Sequence, residues 1–295
     1  MLVSGCAAHQ APASVTPLTV STGAATPPPA PAVPSPSTTA PAPSATSAPA
    51  APTPVETWDA QLSAATTALK AGETVERLRR VAIEYARLGV YDQAETFLSR
   101  ALKLDPRDAA SWEARAQAWR DMALPERALP DAQRAVFFAP RSASARNTLG
   151  TILFALNQPT QAVQAFSEAI AIDPGAAWAR SNLCYVSLLA GDAATAIAQC
   201  SSALSSDPRL VVARNNLALV YAADGKMDDA RREFMAAGSK AEGHYNFGIV
   251  LMARKEYAQA VVEFDAATRA DSKFDAAYAR AREARLLASR AAAGK

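Results

Sequence analysis

From Glu56 to the C-terminus, apolar and small side chains alternate with charged ones at three- and four-residue steps, the mark of helices with one buried stripe. A longer period lies over this one. Ala94, Ala128, Ala162, Ala196 and Ala230 return every 34 residues, and Pro106, Pro140, Pro174 and Pro208 keep the same step. A fixed interval of this length predicts one helix–turn–helix unit copied in tandem, each copy burying its apolar face against the next. In the third copy a first helix is expected from near Ala143 and a second over Thr160 to Ala171. Small Gly150 lets the two helices approach at Ala162, Phe166 fills the groove between them, and Asp173-Pro174 ends the second helix. The step shortens once, because Ala260 follows Ala230 by only 30 residues. Four residues are expected to be missing from the loop around Gly238–Gly243, with a local change of curvature there.

Six copies can be followed. The first holds Tyr85, Gly89, Tyr91, Ala94, Leu98 and Ala101, and the second Trp112, Ala116, Trp119, Ala128 and Ala135. In the second, Ala132 stands where a bulky aromatic is usual. The fourth places cysteines at two packing positions, and the fifth and sixth carry Phe234 and Phe264. This succession resembles the tetratricopeptide repeat, with its W-x2-L-G-x2-Y…A-x3-F…A…P pattern. The resemblance implies an all-α fold: a right-handed superhelix (an α-α solenoid) of about six repeats over residues 73–273. Trp58, Leu62, Ala65 and Leu69 predict an N-terminal helix over 56–72, and residues 274–295 read as a charged C-terminal capping helix.

Composition changes the picture before Glu56. Residues 1–55 hold none of the 30 Lys and Arg or 28 Asp and Glu side chains, but 13 of the 20 prolines. Such a stretch cannot bury enough apolar surface to offset its backbone entropy, so residues 6–55 read as a disordered Pro/Ala/Ser/Thr-rich linker. Residues 1–5 read as the remnant of a lipoprotein signal: Val3-Ser4-Gly5-Cys6 resembles a bacterial lipobox, in which the cysteine is acylated. A complete signal carries a basic segment and an apolar stretch before the box, so the true start is expected upstream. Multiple acyl chains give stable attachment, and Ala7 after the cysteine implies, by resemblance, the periplasmic face of the outer membrane. The alternative location is soluble periplasmic.

Chemistry is sparse. The two histidines are His9, in the linker, and His244, which shares its repeat position with Trp112, Arg146, Arg180 and Arg214 and reads as a half-exposed helix residue. No nucleophile elbow, zincin motif or P-loop is present, Asp228-Asp229 reads as a solvated first turn, and no metal-ligand spacing occurs. The chain is therefore expected to be no enzyme and to need no cofactor. A net charge of +2 argues against nucleic acid, and a small-molecule substrate is not expected. Cys184 and Cys200 fall on the two helices of the fourth repeat and leave two readings open. They form a disulfide, or they are buried small residues, since counting through the turn at Gly191-Asp192 sets Cys184 opposite Ala196 and Cys200 one turn off.

Binding is the more promising direction, because first helices of such repeats line a concave groove. The register assigns Glu76, Arg79, Ile83, Glu113, Gln117 and Arg120 to its early part. The later part receives Asn147, Thr151, Phe154, Ser181, Tyr185, Leu188, Asn215, Leu219, Tyr245 and Ile249. Amides beside aromatics suit an extended peptide; Asn182, Asn216 and Asn246 match a common repeat asparagine. Finally, Arg214 to Tyr221 (RNNLALVY) and His244 to Leu251 (HYNFGIVL) resemble the TadD group of tight-adherence pilus lipoproteins. That resemblance implies a lipid-anchored adaptor binding a protein or peptide partner, an outer-membrane secretin or a pilus component. The alternative is a scaffold or regulatory subunit for a periplasmic cell-wall hydrolase or polysaccharide exporter.

Overall fold

The computed structural model describes residues 59–293; the lipobox with Cys6, the linker and Trp58 lie outside them. Among the described residues there are fourteen helices and no strand. They are α1 (Ala60–Lys70), α2 (Val75–Arg87), α3 (Tyr91–Leu104), α4 (Ala109–Asp121), α5 (Pro125–Phe138), α6 (Ala143–Ala155) and α7 (Pro159–Ile172). The series continues with α8 (Ala177–Leu189), α9 (Ala193–Ser206), α10 (Val211–Ala223), α11 (Met227–Ala237), α12 (Lys240–Ala253), α13 (Tyr257–Ala270) and α14 (Asp275–Ala293). From α2 to α13 they run as six sequential pairs. The N-terminal helix starts at Ala60, where Asp59 caps it by accepting from the Leu62 amide. No described helix is long and apolar enough to cross a membrane.

The chain divides into two compact units between Ala162 and Val163, within α7. In the unit ending at Ala162, α1 packs on α2, α2 on α3 and α4 on α5, while each second helix also contacts the next first helix. Leu62, Val81, Tyr85 and Leu98 form one buried cluster there, and Ala116, Ala132 and Ile152 another. In the unit from Val163, α8–α9, α10–α11 and α12–α13 pair in the same way, and α14 closes on α13. Its main cluster joins Phe234, Tyr245, Phe247 and Phe264 to Ala277, Ala281 and Ala284 of α14.

Each pair turns on a residue with positive φ at one fixed position: Gly89, Ala123, Asn157, Gly191, Gly225 and Lys255, at 57° to 79°. The turn after a helix needs this left-handed conformation to satisfy its last carbonyls. Three repeats meet it with glycine and three with an L side chain that strains there.

A second device holds each first helix to the loop before it. Trp112 Nε1 donates to the Pro106 carbonyl at 2.8 Å, and Arg146, Arg180 and Arg214 each reach the carbonyls of Pro140, Pro174 and Pro208 at 3.0–3.1 Å. Donor and acceptor are six residues apart every time. The ladder prolines thus do more than end helices, since each offers a carbonyl to the first helix that follows it.

The shortened step falls differently from the sequence expectation. Gly243 is not in a loop but inside α12. The second helices are 14 residues long except α11, which has 11; its following loop is only Gly238 and Ser239, and α12 gains one residue over the 13 of α10. The cause is local. Ser239 and Glu242 form a reciprocal capping box that starts α12 early. The neighbouring first helices α8 and α10 lie against each other, whereas α10 and α12 make little backbone approach. The spacing of first helices therefore changes at the break.

Candidate functional site

The first helices carry the groove positions, and burial sorts those positions sharply. Asn147, Thr151, Ser181, Tyr245 and Ile249 are buried, each 6% exposed or less, so they cannot line an open groove. Their places are taken up by packing along the array. Thr151 accepts from Arg120 at 3.3 Å and donates to the Thr148 carbonyl. Ser181 accepts from Asn216 of α10 at its carbonyl and its hydroxyl, 3.1 and 3.2 Å away. Tyr245 packs on Phe264 and Phe274, with centroids 5.7 and 4.9 Å apart, and Arg280 of α14 hydrogen-bonds to it. The register alone marks the inward side of a helix; it does not say how far the neighbouring helix covers that side.

The early positions are occupied as well. Glu113 of α4 accepts from Ser144 and Thr148 of α6, and Gln117 donates to Thr148. With the Arg120–Thr151 bond they form a polar ladder between successive first helices. Arg79 pairs with Asp108 at 2.6 Å. Glu76 stays exposed, and Ile83 is 51% exposed. Asn182, Asn216 and Asn246 are all buried.

Among the groove positions, Tyr185 and Leu188 on α8 and Asn215 and Leu219 on α10 remain half-buried, as does Phe154 on α6 in the other unit. Tyr185 and Leu219 hold the same position in successive repeats on helices that touch, with exposed Leu189 beside them. Burial pushes the Tyr185 phenol above its ordinary range, so it stays protonated and neutral. The Asn215 carboxamide oxygen is buried without a hydrogen bond inside the protein. An apolar strip with an amide set into it can hold an extended backbone and the side chains that flank it.

His244 joins a cluster that sequence reading missed. Its Nδ1 lies 2.6 Å from Glu263 of α13, and Arg231 of α11 reaches the other carboxylate oxygen at 3.0 Å. Arg180–Gln199 and Arg214–Glu233 have the same 19-residue offset. That offset was the signal available, and it makes His244 the third member of a structural series. Asp228 and Asp229 open α11 in its first turn.

The fourth-repeat cysteines require a correction. Cys184 and Cys200 are bonded, with Cα atoms 5.4 Å apart and both residues fully buried. Ala196 and Cys200 are one turn apart on the same stripe of α9, and Cys184 packs with both. Counting through the turn treated those two positions as alternatives.

A family model of the tetratricopeptide repeat matches residues 80–108, and another matches residues 120–177. These are tetratricopeptide repeats. Solved tetratricopeptide-like structures agree in fold. PilW, a widely conserved type IV pilus biogenesis factor, has a TM-score of 0.59 at 24% identity, over 68% of this chain and 94% of its own. Pseudomonas aeruginosa PilF has a TM-score of 0.56 at 19% identity, over 72% and 96%. A chain of the APC/C hetero-tetramer Cut9–Hcn1 has a TM-score of 0.64 at 16% identity over 76% of this chain, which spans 45% of that chain's length. No curated protein sequence matches this chain.

Proposed function

We propose that this chain is a non-catalytic, lipid-anchored periplasmic adaptor whose tetratricopeptide array holds an extended segment of a protein partner, assisting assembly of a pilus or its secretin. The observation that carries the reading is the half-buried strip of Tyr185, Leu188, Asn215 and Leu219, with exposed Leu189 beside it. Apolar side chains of an extended segment would cover Tyr185 and Leu219. Support for the compartment comes from the buried Cys184–Cys200 bond, since structural disulfides persist where the surroundings are oxidising. Val3-Ser4-Gly5-Cys6 supports the anchor, and the fold shared with PilW is in keeping with the task.

The test is made in the native bacterium. Deleting the gene is expected to reduce heat-resistant secretin multimers on a denaturing gel. Wild-type protein should restore them, and Tyr185→Ala/Leu219→Ala should not, although its circular dichroism is unchanged. Palmitate should label the wild type and not Cys6→Ser. Secretin multimers of unchanged abundance and location in the deletion strain would overturn the pilus reading, and equal labelling of Cys6→Ser would remove the anchor.

A further inference from the structure

In five of the repeats one pair of positions, 16 residues apart, joins the first and second helix: Ala82/Leu98, Ala116/Ala132, Cys184/Cys200, Ala218/Phe234 and Gly248/Phe264. All ten residues are buried. The first position is always small, and in three of the five the second carries the bulk, as Leu98, Phe234 or Phe264. In the sixth repeat the fit is very close, because a Cβ placed on Gly248 would stand 2.7 Å from the Phe264 ring. The second repeat has alanine at both positions, and its bulk is replaced one residue earlier. There Arg115 grips buried Asp131 through two bonds of 2.7 and 3.0 Å, again at an offset of 16. The fourth repeat has neither ring nor ion pair at these positions, only the two cysteines.

We propose that the Cys184–Cys200 bond is the covalent substitute for this ring-on-small-residue anchor, so that the fourth repeat, with Tyr185 and Leu188 on it, closes firmly only when oxidised. Two thiols fill less space than a ring and do not tie the helices together. Separated sulfurs also need more room than bonded ones, so reduction loosens a repeat that has neither ring nor ion pair at these positions to hold its helices. The bond also closes a 16-residue separation and so restricts the unfolded chain.

Formation is a balanced exchange. The thiolate of one cysteine attacks a disulfide-bearing oxidant and forms a mixed disulfide, and the second cysteine's thiolate then displaces the oxidant as a dithiol. Two protons leave the cysteines and two electrons pass to the oxidant. Both sulfurs are sealed in the finished repeat, so the exchange belongs to the open chain and reduction must wait for local opening. This conditionality holds whatever partner the array binds.

The full chain, prepared from an oxidising compartment, is alkylated and mapped by peptide mass, and amide exchange is followed over residues 177–206 with and without dithiothreitol. Oxidised protein is expected to escape alkylation at Cys184 and Cys200. Once reduced, its exchange over α8 and α9 should rise roughly a hundredfold, the loss expected for a loop of this length, while α2 to α5 keep their protection. Cys184→Gly/Cys200→Phe, which writes in the sixth repeat's pair, should be protected like oxidised wild type and indifferent to reductant. Should that variant fail to fold, Cys184→Ala/Cys200→Leu, the first repeat's pair, gives the same readout. Free thiols at Cys184 and Cys200 in the oxidised preparation would overturn the proposal, as would unchanged protection after complete reduction.

Discussion

Gly243 offers the sharpest test of how the array absorbs its missing four residues. Replacing glycine by alanine inside a helix ordinarily stabilises by about 1 kcal/mol, because glycine loses more backbone freedom on folding. Here the new methyl carbon would lie 2.8 Å from the Phe234 carbonyl oxygen and 3.1 Å from the Met235 Cα, both backbone atoms of α11. Backbone cannot rotate aside, so α11 must move as a body, and Phe234 moves with it out of a fully buried site. Overpacking of this kind costs about 1–3 kcal/mol, and here the lost contacts of Phe234 place it toward the upper end. After the helix-propensity gain, Gly243→Ala is expected to destabilise by about 1–2 kcal/mol. The measurement is urea unfolding followed by circular dichroism, with amide exchange over residues 227–253 to localise the loss. Inserting four residues after Ala237, to give α11 back its last turn, should abolish the penalty. A Gly243→Ala protein as stable as wild type, or more stable, would refute the close approach of α12 to α11 at Gly243.

Two further outcomes follow from the helix ends. Ala123 holds a left-handed turn at φ 58°; Ala123→Gly is expected to gain about 0.5–1 kcal/mol, the strain relieved less the entropy added to the unfolded chain, and a loss of stability on urea unfolding would contradict this. Asp192 caps α9, and its hydrogen bonds with Thr195 hold its carboxyl below the ordinary value of 3.8. A depressed folded-state pKa contributes stability above the unfolded value, about 4, that is lost as pH falls through the folded value; Asp192→Asn keeps a capping oxygen and should flatten the acid limb of the α9 exchange profile, and an unaltered limb would count against it.

The helical period and the 34-residue ladder made the six pairs legible, because both follow from backbone geometry that each repeat satisfies for itself. The residues between repeats were less legible. Thr151, Ser181 and Tyr245 sit on the inward side as the register requires, yet how deeply each lies depends on the neighbouring packing, which no single repeat encodes. Gly243 was misplaced although Ser239 and Glu242 spell a capping box, since the missing four residues suggested a cut loop. The cysteines were ambiguous because α9 offers Cys184 two partners one turn apart. Aligning the positions 16 residues apart would have shown Cys200 standing where Phe234 and Phe264 stand.

The bonds from Trp112, Arg146, Arg180 and Arg214 to the ladder prolines have a bearing on descent. Each is contained in seven consecutive residues, so a duplicated stretch of gene brings its own fastening and needs nothing from its neighbours. An array can lengthen by copying without first evolving a new interface for the loop. The sixth repeat marks the limit of that independence: Gly238, not proline, stands six residues before its fastening position. His244 stands there now, turned to an acid on the next helix.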